Sequence, residues 1–118
     1  MTSQFRCLDT GHPMTVSRQN FERITVVDEF PDLSWLDDVA DRQRLDAYDH
    51  GFWNMIGVRA KATFLIPLNG HYVIQTITTP GLWGIESDSD DAYLDDVFSE
   101  ECMNLAAMLA TLGVRVTA

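Results

Sequence analysis

Apolar and polar residues alternate most cleanly between positions 58 and 66, where Val58, Ala60, Ala62, Phe64 and Ile66 stand against Arg59, Lys61 and Thr63. A period of two sends these sets to opposite faces of a strand, one buried and one wet. Asn69-Gly70 follows, and because both residue types accept the positive φ of a type I′ turn, this dipeptide is the strongest short hairpin signal in the chain. A two-residue loop pairs Leu68 with His71, Ile66 with Val73, Phe64 with Gln75 and Ala62 with Ile77, so inward residues meet largely apolar partners. Pro67 has no amide to give a ladder, which places this end of the hairpin at an edge.

The β-branched run Arg23-Ile24-Thr25-Val26-Val27-Asp28, ending before Pro31, predicts a strand. Thr79-Pro80-Gly81 predicts a bend, and Leu82-Trp83-Gly84-Ile85 a short strand after it. Two stretches carry helical periodicity. One is capped by Asp32 or by Ser34, with Ser34-Trp35-Leu36-Asp37 as a capping box, and runs to about His50 before Gly51; its apolar face is imperfect and a break near Asp41 fits the pattern. The other starts at Ser87 and Asp88, repeats Leu94, Val97, Phe98, Cys102, Leu105, Met108, Leu109 and Leu112 at intervals of three and four, and closes at Gly113. Val114-Arg115-Val116 suits a last short strand, and residues 1–20 an irregular arm with room for one short edge strand. The expectation is a single α+β domain over residues 1–118, an antiparallel sheet of three to five strands packed against two helices.

Charge changes this picture. Eighteen acidic residues face eight basic ones, a net charge of −10, and from Glu86 to Glu101 eight of sixteen residues are acidic and none is basic. Such a field repels nucleic acid and anionic membranes and attracts basic surfaces. A solubilising surface would account for many of these acids, but the missing bases forgo the usual intrahelical support and leave self-repulsion that a basic partner offsets. Leu94, Val97, Phe98, Cys102 and Leu105 claim the inward face of the last helix, so Asp91, Asp95, Asp96 and Glu100 project from its flank or back, with Glu101 at the boundary. These five carboxylates are the candidate partner-binding residues.

The chemistry of an enzyme or a metal site is not spelled out. His12, His50 and His71 share no ligand spacing with each other or with Cys7 and Cys102. Asp88-Ser89-Asp90 opens like a calcium loop, but Tyr93 stands where the turn glycine belongs and Ser99 at the twelfth position. Gly81 and Gly84 lack the basic residue of a phosphate loop. Cys102 lies on an apolar stripe, where thiols are inert, and the two cysteines show no stapled-scaffold spacing, so no disulfide is expected. No catalytic residue, metal or cofactor is assigned. The first residues lack a signal-peptide core, and no run reaches the length of a membrane span.

Ser34-Trp35-Leu36, the stretch Trp53-x-x-Ile56-Gly57-Val58-Arg59-Ala60 and above all Gly81-Leu82-Trp83-Gly84-Ile85-Glu86-Ser87-Asp88-Ser89-Asp90 resemble a group of short acidic proteins encoded in phages and mobile elements, over roughly residues 24–113. The resemblance implies a genomic setting and supplies no catalytic residue; the widely separated Cys7 and Cys102 fit a reduced, cytosolic setting, expected here to be the cytoplasm of a bacterial host. By analogy with small acidic phage proteins that mimic DNA or block host defence, the expected function is stoichiometric, non-catalytic inhibition of the anti-CRISPR type. Its partner would be a basic nucleic-acid-binding host protein such as a CRISPR effector. The alternative is an adaptor or structural protein that binds another protein through exposed aromatics such as Trp35, Trp53 or Trp83.

Overall fold

The computed structural model describes residues 14–118. Its elements, in order, are β1 (Thr15–Ser17), β2 (Glu22–Val27), α1 (Arg42–Asp49), β3 (Met55–Leu68), β4 (His71–Thr78), β5 (Leu82–Glu86), α2 (Asp91–Thr111) and β6 (Arg115–Thr117), with single 3-10 turns at Arg18–Asn20, Ser34–Leu36 and Val39–Asp41. The fold is α+β.

The alternating stretch is the spine. β3 is antiparallel to β2 through residues 56–61 on one edge; on the other it is antiparallel to β4 through 61–68 and to β5 through 55–58. The hairpin register is the expected one throughout, Leu68 opposite His71 and Ala62 opposite Ile77. Asn69 and Gly70 turn at φ 52° and 79°, the left-handed values a type I′ turn needs. Val58, Ala60 and Ala62 are wholly buried. They and Phe64 face α2, where Cys102, Leu105 and Leu109 join Met14, Val16, Phe21 and Val114 in the main core. A second cluster, Ile56, Val58, Ile85 and Val97, extends it toward the start of α2, and a third, Leu36, Trp53 and Met55, lies under α1.

Three expectations are corrected. The helix expected from the Ser34 region to about His50 does break at Asp41, as the pattern allowed, but what precedes the break is two 3-10 turns, and only the eight residues of α1 after it are α-helical. Ser34 caps nothing: its amide donates to Asp32 Oδ1, and Asp38 caps the second turn through the Ala40 amide. Local side-chain acceptors at Asp32 and Asp38 thus compete with a continuous helix, and an imperfect apolar face gives it too little packing to win. Second, α2 is capped by Asp90, whose Oδ1 accepts from the Tyr93 amide. Ser87 instead exchanges two bonds with Asn54 and prolongs the β3–β5 ladder, and Asp88 pairs with Arg44. Third, the last strand stays out of the antiparallel sheet. β6 runs parallel to β1, Val116 opposite Val16, so part of the expected N-terminal arm is tied to the C-terminus. Gly113 closes α2 as expected, at φ 81°. Cys7 and His12 lie outside the described residues.

One detail explains the tryptophan-bearing strand. β5 gains a residue relative to β3 between the pairs Ile56–Ile85 and Val58–Leu82, a bulge that Gly84 accommodates at φ 78°. The bulge swings Trp83 across the outer face of the sheet onto Gly57, where a Cβ would stand 2.5 Å from the indole ring.

Candidate partner-binding surface

The acidic residues are gathered by the fold. Sixteen of the eighteen carboxylates belong to residues 28–49 and 86–101. β3 begins and β5 ends between these segments, Met55 opposite Glu86, so both belong to the same end of the sheet. Arg44 of α1 joins them. Its guanidinium binds Asp88 bidentately, at 2.6 Å through each terminal nitrogen, and reaches Glu86 Oε1 at 2.9 Å. It lies 3.8 Å over the Trp53 ring, while the Trp53 indole donates to the Arg44 carbonyl at 2.9 Å. The Asp88 carboxylate bonded to Arg44 holds the guanidinium pKa above its ordinary value; reciprocally, the hydrogen bonds from Arg44 hold the Asp88 carboxyl below the usual carboxylate range.

The five candidate carboxylates separate. Asp91, Asp96 and Glu100 are exposed, and among the described residues none has an ion-pair partner. Asp95 is exposed but bound: Arg23 of β2 reaches its Oδ1 at 3.0 Å and lies over the Phe98 ring, so the helix does have one shielding base, supplied from the sheet. Glu101 is not a surface residue. It is 6% exposed, accepts from the Thr79 hydroxyl at 2.6 Å and from the Asn104 amide at 3.2 Å, and lies where α2 meets the sheet. Thr79 is wholly buried, accepts the Ala60 amide through its hydroxyl, and its carbonyl takes a bond from Arg59. One threonine thereby ties the β4–β5 joint, the spine and α2 together. Glu101 is thus a fold residue, and the contact surface narrows to Asp91, Asp96, Glu100 and the exposed face of Asp95.

What helical spacing on α2 alone misses is the contribution of the other segment. Asp37, Asp38 and Asp46 are exposed and, with Arg42 and the exposed Val39, rim an open groove of about 300 Å³ whose apolar floor is Leu36 and Leu45. An apolar floor under a carboxylate rim suits the stem and head of a lysine or arginine from outside. The density of Asp between Asp32 and Asp49 was the available signal.

The aromatics also separate. Trp53 is 3% exposed and belongs to the core under α1, so it cannot be a surface anchor. Trp35 and Trp83 remain about half exposed, their indole N–H groups donating to the carbonyls of Asp32 and Pro80. Cys102 is buried, and burial pushes its thiol pKa up. No group of three His, Cys, Asp or Glu side chains suited to a metal ion occurs among the described residues, and no helix among them is long and apolar enough to cross a membrane. Set against known proteins, the chain matches no family model, no curated protein and no solved structure.

Proposed function

We propose that this protein is a stoichiometric inhibitor whose acidic pole docks on a basic, nucleic-acid-binding surface of a host protein such as a CRISPR effector in the bacterial cytoplasm. The observation that carries the reading is that the two segments holding sixteen carboxylates, of which Glu101 alone is buried, meet at one end of the sheet. Arg44 and Arg23 neutralise only Glu86, Asp88 and Asp95 among the described residues. Asp96 and Glu100, one turn apart on α2, repel each other without an offsetting base. A groove lined by Lys and Arg to follow a phosphate backbone supplies the missing counter-charge, and a folded acidic body there blocks the strand from entering.

The test uses capture from bacterial lysate on the immobilised full chain, followed by mass spectrometry. Two variants serve as controls: Asp96 and Glu100 both changed to Lys, and Asp37 and Asp46 both changed to Lys. The reading expects a basic nucleic-acid-binding protein that is lost as salt rises and is lost from both variants. Retention of the same partner by both folded variants at wild-type strength overturns it.

A second reading, an adaptor anchored by aromatics, is favoured by Trp83. Its ring is half exposed on the outer sheet face, over Gly57 and opposite the face that α2 covers. Such an interaction tolerates salt and depends on Trp83→Ala, the reverse of the acidic-pole pattern.

A further inference from the structure

From Ala62 to Ile85, twenty-four consecutive residues contain no Asp, Glu, Lys or Arg, in a chain of net charge −10. This span is the outer part of β3, all of β4 and most of β5. β2 leaves β3 at Lys61, so beyond that point the sheet is the β3–β4 hairpin alone. Leu65, Tyr72 and Ile74 are 52%, 69% and 69% exposed, and the register sets Leu65 opposite Ile74 and Pro67 opposite Tyr72 on one face. A two-stranded hairpin is only marginally stable by itself, and a long apolar edge is a template for another strand.

The two edges of this arm are not alike. In a hairpin with a two-residue turn the closing pair Leu68–His71 exchanges both hydrogen bonds, and alternate pairs do the same. The amides of His71, Val73, Gln75 and Ile77 therefore point at β3, and those of Tyr72, Ile74 and Thr76 point away from it. On the outer edge of β3, the corresponding position nearest the turn is Pro67, which has no N–H to offer. β4 carries no proline, charge or bulge, and no strand among the described residues pairs with its outer edge. One edge is guarded and the other is left open.

We propose that the open edge of β4 pairs antiparallel with β4 of a second copy across a twofold axis, joining two sheets through the hairpin arms. A second copy is the occupant because the pairing is self-complementary. Setting Ile74 on the axis faces it with its own equivalent, places Tyr72 opposite Thr76 of the partner strand, and satisfies the outward amides of all three residues. Charge points the same way. Two chains of net charge −10 repel each other, and the uncharged arm leads away from the end where most carboxylates sit. Twofold pairing through it brings no opposed carboxylates together.

The test is sedimentation of the full chain over a wide concentration range, at low and at physiological salt. A mass twice that of the chain, with a dimer that strengthens as salt screens the residual repulsion, is the expected result. Ile74→Lys sets two ammonium groups against each other on the axis and halves the mass. Thr76→Pro removes one outward amide, leaves the β3 ladder intact and does the same. Far-UV circular dichroism of both variants matches the wild type. In a Cys7→Ser background, Ile74→Cys forms an intermolecular disulfide on oxidation, since directly opposed residues lie within the reach of that bond, whereas Thr63→Cys does not. A wild-type chain that remains a monomer at every concentration overturns the proposal. So does a dimer that survives Ile74→Lys, which assigns the contact to another surface, the N-terminal residues among them, or one that weakens with salt, which assigns it to the acidic pole.

Discussion

At the scale of single residues the fold turns on contacts that charge and hydropathy do not announce. The Thr79 hydroxyl serves the Ala60 amide and the Glu101 carboxylate at once, so Thr79→Val keeps the shape and orphans two buried groups. The expected loss is about 1–3 kcal/mol for each orphaned group, read from the denaturant midpoint. Glu101 separates from its acidic neighbours by the same logic. Glu101→Lys buries a cation beside Thr79 and destabilises by about 3 kcal/mol or more, whereas Asp96→Lys, on the exposed back of α2, leaves the melting temperature unchanged or raises it. Gly57→Ala drives a methyl group into the Trp83 ring; overpacking of this kind costs about 1–3 kcal/mol and shifts tryptophan emission as the indole is displaced. None of this is legible in sequence. Glu101 looks like one more acid in an acidic run, Gly57 like one residue of an apolar strand, and Trp83 reaches it only through the bulge at Gly84.

At the scale of elements, legibility follows the strength of the local signal. The hairpin has a strict period of two and an Asn-Gly turn, and its register is readable to the residue because a one-residue slip would turn every core side chain outward. α2 has 21 residues of regular apolar spacing and is readable in the same way, except that three acceptors compete for its cap and Asp90 prevails. The stretch before α1 breaks into 3-10 turns because Asp32 and Asp38 satisfy amides locally. What fastens it is Arg44, a contact across more than forty residues. That contact has a pH signature. Asp88 is held below its ordinary value in the folded state by Arg44, so its contribution is present above the carboxylate range and is lost as pH falls through the folded-state pKa. Stability measured against pH is expected to drop on acidification, and Asp88→Asn is expected to remove that part of the drop while leaving neutral-pH secondary structure intact.

At the scale of the whole molecule the chain is two-ended, with carboxylates at the end where β3 begins and an uncharged arm at the other. Composition announces the net charge, but only the pairing of Met55 with Glu86 shows that two acidic segments far apart in sequence share one pole. The acidic-pole account is tested most directly by nucleic-acid competition on the captured host protein. Its occupancy by its own DNA or RNA is followed by anisotropy as the full chain is added. The account predicts displacement that saturates at one chain per binding site, fades as salt rises, and disappears when Asp96 and Glu100 are both changed to Lys. Undiminished nucleic-acid binding at saturating wild-type chain would contradict it.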